Sequence, residues 1–210
     1  MKKDKTDQTI EKYAGAYRKV LKSGGLPDTE EEIHAYRKRL KEMYSSDNFR
    51  KYNIYPTTNT VYVFAIIAMC LQLKQYDLGN AQIIDMINTG FAARRNFFKI
   101  LLRGIDLLPN AYAAAEKFNI SDHAGRVKDG SVTYDYFRLD DGKIEYSISR
   151  CAYVEMFEAY GIRSLCKIFC MTDTTSYNHL SRHVKFIRYS DLSDGSCCHD
   201  VVLNRRKIRE

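Results

Sequence analysis

The sequence predicts an α+β fold: a helical N-terminal half packed on a C-terminal antiparallel β-sheet, with short helices between the strands. Three observations carry it. Apolar residues recur at helical spacing from Ile10 to Phe118. From Val132 the pattern turns to alternation, is interrupted by Asp140-Asp141-Gly142 and resumes on the far side, the mark of a β-hairpin. A second alternating pair, His183 to Tyr189 and Cys197 to Leu203, follows after further helical sequence. Strands joined as hairpins pair antiparallel, and helices then cover the apolar face. The economical organisation is one domain over residues 1–210, with a helical layer over about 1–119 and a β-containing half over about 130–204.

Taken in order, Ile10, Tyr13, Ala14, Tyr17 and Leu21 define a first helix that ends at Ser23-Gly24-Gly25. Thr29 followed by Glu32 has the spacing of a capping box, ahead of an apolar stripe through Ile33, Tyr36, Leu40 and Met43. Asn53 to Asn59, with Pro56 and two threonines, makes a loop. The run Val61 to Leu73 is apolar on nearly every side, so it is expected to be a central buried helix. Ile83, Ile84, Ile87 and Phe91 give another helical face, continued by Phe98, Leu101 and Leu102 with a bend at Gly90. Pro109 suits the start of a short helix through Phe118. Tyr153 to Tyr160, stopped by Gly161, and Leu165 to Asp173 are the short helices between the strand pairs.

The charged opening Met1-Lys2-Lys3-Asp4 lacks the apolar core of a secretory signal, and no apolar run is long enough to span a bilayer. The chain therefore reads as cytoplasmic, where its 6 cysteines serve as core residues, metal ligands or reactive thiols rather than disulfides. The net charge of +7 is dispersed over Arg37-Lys38-Arg39, Arg94-Arg95 and Arg205-Arg206-Lys207. No nucleic-acid-binding pattern accompanies those residues, which argues against such a partner and fits a small anionic ligand.

Cys151 is the leading candidate for chemistry. It falls where the second hairpin strand gives way to a helix, so unpaired N–H groups and the neighbouring Arg150 would favour its thiolate. The alternative is a small residue packing the strand–helix corner. Cys166 and Cys170 share a helix face, with Asp173 three residues on. Cys166 suits packing beside Leu165 and Phe169, whereas Cys170 with Asp173 suits a site. Cys197 and Cys198 point to opposite faces of a strand, so at most one can join. His179, His183 and His199 lie nearby without zinc-site spacing.

The segment Tyr146-Ser147-Ile148-Ser149-Arg150-Cys151-Ala152-Tyr153-Val154-Glu155-Met156-Phe157, then Gly161, Cys170-Met171-Thr172-Asp173 and Gly195-Ser196-Cys197-Cys198, resembles the L-2-amino-thiazoline-4-carboxylic acid hydrolase family. The family often has proline after the first cysteine, where this chain has Ala152. The resemblance implies a hydrolase acting on a C–N bond of a cyclic amidine, opening a thiazoline to a carbamoyl-cysteine. It implies Cys151, Cys170, Asp173 and Cys198 as catalytic residues, with Arg150 and His183 binding the substrate and no cofactor. Two other readings of the same residues stand beside it. One is a non-enzymatic small-molecule-binding or sensor domain with an aromatic pocket drawn from the 16 tyrosines and Phe97, Phe98 and Phe157. The other is a zinc site made by Cys151, Cys170, Cys198 and Asp173 or a histidine.

Overall fold

A computed structural model describes residues 5–207, apart from the side chains of 92–98. The opening Met1-Lys2-Lys3-Asp4 and the side chains of Arg94, Arg95, Phe97 and Phe98 lie outside the described residues. The N-terminal half is helical and the C-terminal half carries a four-stranded antiparallel sheet. Helices α1 (Lys5–Ser23), α2 (Glu30–Tyr44) and α3 (Asp47–Tyr52) lead to α4 (Thr60–Leu73). The expected apolar stripes face inward: Tyr17, Leu21, Ile33, Tyr36 and Leu40 are buried together with nearly all of α4. The forward half of the capping box forms, with the Glu32 N–H donating to Thr29 Oγ1 at 3.3 Å. None of the described helices is long and apolar enough to cross a membrane.

The expected bend at Gly90 is a break between two helices, α5 (Asn80–Gly90) and α6 (Ala92–Asp106). Gly90 sits where α1 and α5 touch. A Cβ there would lie 2.9 Å from Val20 Cα, so a larger residue would force the helices apart. The next helix corrects the sequence reading. Instead of stopping near Phe118, α7 runs Ala111–Asp129. Asn119, Ser121, Asp122 and Gly125 are indifferent or poor helix formers, but tertiary contacts override that preference. Asn119 Nδ2 donates back to the Ala115 carbonyl at 2.7 Å and across to Tyr177 Oη at 2.6 Å.

The hairpin forms where alternation places it, as β1 (Val132–Asp140) and β2 (Lys143–Cys151). Gly142 takes φ +82° at the turn, a conformation that suits glycine. After α8 (Ala152–Glu158) and α9 (Lys167–Tyr177) come β3 (Val184–Ser190) and β4 (Cys198–Asn204), giving the order β1-β2-β4-β3. Strict alternation fails inside the hairpin. The register runs Thr133 opposite Arg150, then Tyr134 opposite Ile148, then Tyr136 opposite Ser147. Ser149 in β2 and Asp135 in β1 are thus two compensating extra residues. Each bulge shifts its strand's parity by one, which re-aims every side chain beyond it. Tyr134 and Phe137 therefore share the inner face, as do Ile148 and Cys151.

Candidate active site

The inner face of the sheet is laid out in rows by its register. Phe137, Tyr146, Asp200 and Arg188 lie side by side; next come Tyr134, Ile148 and Cys198, then Val132 and Cys151. With α6, α7, α8 and α9 these rows enclose a cavity of about 530 Å³. Cys151, Cys170, Asp173 and Cys198 all line it, and Cys166 contributes to its wall. Cys197 points the other way, its sulfur 3.5 Å from Ser190 Oγ.

The bulge at Ser149 decides which of two neighbours enters the site. Unbroken alternation from Tyr146 and Ile148 would aim Arg150 inward and Cys151 outward. The structure does the reverse. Arg150 makes two contacts with Glu155, of 2.7 and 2.8 Å, and donates to the Gly130 carbonyl at 2.8 Å, outside the cavity lining. Its side chain is therefore engaged outside the set of residues that line the cavity. His183 is also elsewhere: it is buried with Nδ1 3.4 Å from Asp106 Oδ1 and Nε2 2.9 Å from Arg206 Nη2. There it ties the C-terminal segment to the end of α6.

Cys151 ends β2 and caps α8, so the Val154 and Tyr153 N–H groups face its sulfur. Both pull its pKa down, as the Arg126 charge does. Burial is the larger effect, and with neighbouring Cys170 it pushes the thiol up. Burial therefore moves the Cys151 pKa in the direction opposite to the lowering that its helix-start position predicted. Burial also lifts Cys198 to about 12, although the Leu192 N–H donates to its sulfur at 3.4 Å. Cys166 is raised well above the usual range by its hydrogen bond with Cys170 and by burial. Burial thus pushes Cys151, Cys166 and Cys198 upward, and Cys166 is hydrogen-bonded to Cys170.

Asp173, which has no lysine partner in the nearby sequence, finds Arg188 across the fold, with Nη2 3.0 Å from Oδ2. Its side chain is 54% exposed, but that exposure is to the interior of a protein-walled cavity. Desolvation there raises its pKa, Arg188 opposes the shift, and nearby Asp200 adds to it. Arg188 is itself held bidentately by Asp200, and its Nη1 donates to the Cys170 carbonyl.

Arg126, Arg188 and Asp200 were not singled out from the sequence. Arg126 was hidden by the premature end given to α7; its Nε meets Asp122 Oδ2 at 2.6 Å one turn earlier on the cavity face. Arg188 and Asp200 did carry a signal, being opposite charges at inward positions among Val184, Phe186, Cys198 and Val202. Four tyrosines, Tyr134, Tyr146, Tyr153 and Tyr177, also line the cavity, each kept protonated by burial. Phe157, expected in an aromatic pocket, is instead wholly buried in the helical core. Among the described residues no group of three or more His, Cys, Asp or Glu side chains is disposed to hold a metal ion.

The fold is thus an α+β sheet-and-helix shell around a cavity on which thiols, carboxylates and arginines converge. Residues 65–201 match the family described as L-2-amino-thiazoline-4-carboxylic acid hydrolase, and the chain belongs to that family. The matched segment includes every residue that lines the cavity. Neither a curated protein nor a solved structure matches the chain.

Proposed function

We propose that the cavity binds a carboxylate-bearing cyclic amidine and opens its ring by hydrolysis, taking 2-amino-thiazoline-4-carboxylate to carbamoyl-cysteine. The observation that carries this reading is that Cys151, Cys170, Cys198 and Asp173 line one cavity inside the family-matched segment. The electrophile is C2, bonded to the ring sulfur, the ring nitrogen and the amino group. Cys151 Sγ attacks C2 while its proton passes to the Asp173 carboxylate, whose raised pKa suits it to the task of a base. The Tyr153 and Val154 N–H groups stabilise the negative sulfur as it forms.

The ring then opens at C2–S rather than at a C–N bond. A thiolate, with its thiol pKa of about 8.5, leaves far more readily than a nitrogen anion. The departing sulfur takes the proton from Asp173. Water next adds to C2, giving a proton to Asp173, and Cys151 leaves and recovers it. One water is consumed, and both substrate nitrogens remain on the carbamoyl carbon. We assign the substrate carboxylate to Arg126, which lines the cavity where Arg150 does not.

The test is ring opening assayed by product formation in wild type, Cys151→Ala and Asp173→Asn. Each variant is expected to lose about a hundredfold or more in kcat. Full activity in both, on folded protein, would overturn the assigned roles. The burial that keeps Cys151 protonated favours a second reading, a binding or sensor domain. Stoichiometric binding of the thiazoline without any product would select it.

A further inference from the structure

The cavity is graded along α7. Ala114, Ala115, Phe118, Asn119, Asp122 and Arg126 all line it, at the spacing of a single helix face. The wall is apolar at Ala114, Ala115 and Phe118 and polar from Asn119 to Arg126. Twelve residues of helix rise about 18 Å, so Arg126 and Ala114 stand well apart on this wall, with the mutually neutralising Arg188–Asp200 pair on the sheet floor between the Cys151 row and the apolar end. Leu101, Leu102 and Ile105 of α6 extend the apolar end, and Leu101 and Phe118 remain 50% and 66% exposed at its rim.

A five-membered ring with its carboxylate fills about a third of the 530 Å³ at ordinary packing density. It would occupy the end at Cys151, Asp173 and Arg126 and leave the α6–α7 end without contacts. An unfilled apolar cavity forfeits both dispersion and burial.

We propose that the ligand of this cavity is an amphipath: a small anionic head at Arg126 joined to an unbranched aliphatic tail that runs along α7 to the Leu101–Phe118 rim. For its head the inference rests on the reading above, in which Arg126 holds a carboxylate; for its tail it rests on the cavity walls. A thiazoline substrate of this protein would then carry an alkyl or acyl extension.

The experiment is calorimetric titration of the full chain with straight-chain carboxylates from butanoate to dodecanoate, in wild type and in Ala114→Trp. Ala114 lies on an exposed stretch of α7, and the indole would fill the apolar end from the helix surface without removing a polar group. In wild type the affinity is expected to climb about fourfold per methylene while the chain remains inside the cavity. Ala114→Trp is expected to lower the decanoate-to-butanoate affinity ratio at least tenfold. No climb in wild type, or the same climb in the variant, would overturn the inference. These carboxylates lack the thiazoline ring, so turnover of 2-amino-thiazoline-4-carboxylate measured in parallel reports on the reaction alone. Chain-length dependence without turnover would sink the reaction and leave the amphipath standing. Turnover without chain-length dependence would do the opposite.

Discussion

Arg188 and Asp200 face each other across β3 and β4 and are joined by two contacts of 2.7 Å, Nε to Oδ1 and Nη2 to Oδ2. Asp200 is 1% exposed and Arg188 15%, so the pair is an ion pair removed from water on the floor of the cavity. The same guanidinium reaches Asp173 and the Cys170 carbonyl, which makes it the link between the sheet and the site face of α9. A buried pair of this kind costs desolvation to form, and removing one partner strands the other. Arg188→Met is therefore expected to destabilise the protein by about 3–5 kcal/mol. In thermal unfolding that is a fall in Tm of roughly 10 °C for a chain of this size. The double variant Arg188→Met with Asp200→Leu should recover much of the lost Tm, because the fully buried Asp200 charge is then gone and only the more exposed Asp173 loses its partner. A double variant no better than the single one would mean that the pair contributes more than its own neutralisation.

The thiol of Cys151 supplies a second test. Burial raises its pKa, and the facing N–H groups only partly offset this. Its thiolate fraction should keep increasing above the pH at which a free thiol, with pKa about 8.5, is already half ionised. Iodoacetamide labelling, read by mass on the peptide carrying Cys151, should still accelerate beyond that pH. A labelling rate that levels off at neutral pH would place a stabilised thiolate there instead.

The helical half was legible because its burial is one-sided and periodic: Ile10, Tyr13, Ala14, Tyr17 and Leu21 recur at helix spacing, and all are buried. The hairpin was legible because Asp141-Gly142 combines turn chemistry with flanking alternation. Two features were not. Periodicity carries no mark of a bulge, so the exchange of Arg150 for Cys151 on the inner face depends on pairing with β1 that a single strand does not reveal. The second half of α7 was hidden because its polar residues are the cavity wall. A helix face that lines a binding site lacks the apolar stripe by which helices are recognised. Cys151, chosen for its strand-to-helix position, Cys170 and Asp173, chosen for their helix spacing, and Cys198, chosen by resemblance, all reach the cavity wall, whereas the place of Arg126 there needed the fold.

Asp129 ties the end of α7 to both halves of the chain. Its Oδ2 accepts from the Thr57 N–H at 2.9 Å and the Thr57 hydroxyl at 2.6 Å, and its Oδ1 accepts from the Ser131 N–H at 2.9 Å. Burial acts to raise its pKa, but these donors prevail and hold it at about 2. The folded pKa lies below the unfolded one, so the associated stability is present above about pH 4 and is lost as pH falls toward 2. Asp129→Ala should cost about 1–2 kcal/mol at neutral pH. The difference in Tm between wild type and variant should shrink in a titration from pH 5 to pH 2. A difference that is constant across that range would remove the carboxylate from the account.

The two arginines near the site make opposite predictions. Arg150 is spent on Glu155, the Gly130 carbonyl and the Tyr55 hydroxyl, the last at 3.3 Å, on the far side of the bulge from the cavity. Its pair with Glu155 is part-exposed, so Arg150→Ala should cost no more than about 1 kcal/mol. Ring opening by that variant should stay within about twofold of wild type, since the side chain makes no contact with the cavity. Arg126 lines the cavity, with its guanidinium carbon 5.7 Å from the centre of the Tyr153 ring and Asp122 fixing its Nε. In the proposed reaction, removing it deprives the substrate carboxylate of a charge-assisted partner, worth about 1.5–3 kcal/mol. KM for 2-amino-thiazoline-4-carboxylate should therefore rise by about tenfold or more in Arg126→Ala, while kcat falls much less. Steady-state kinetics on both variants decides the matter. If Arg150→Ala raised KM and Arg126→Ala did not, the carboxylate would have to be held from the β2 side, and the orientation of the substrate across Cys151 would be reversed.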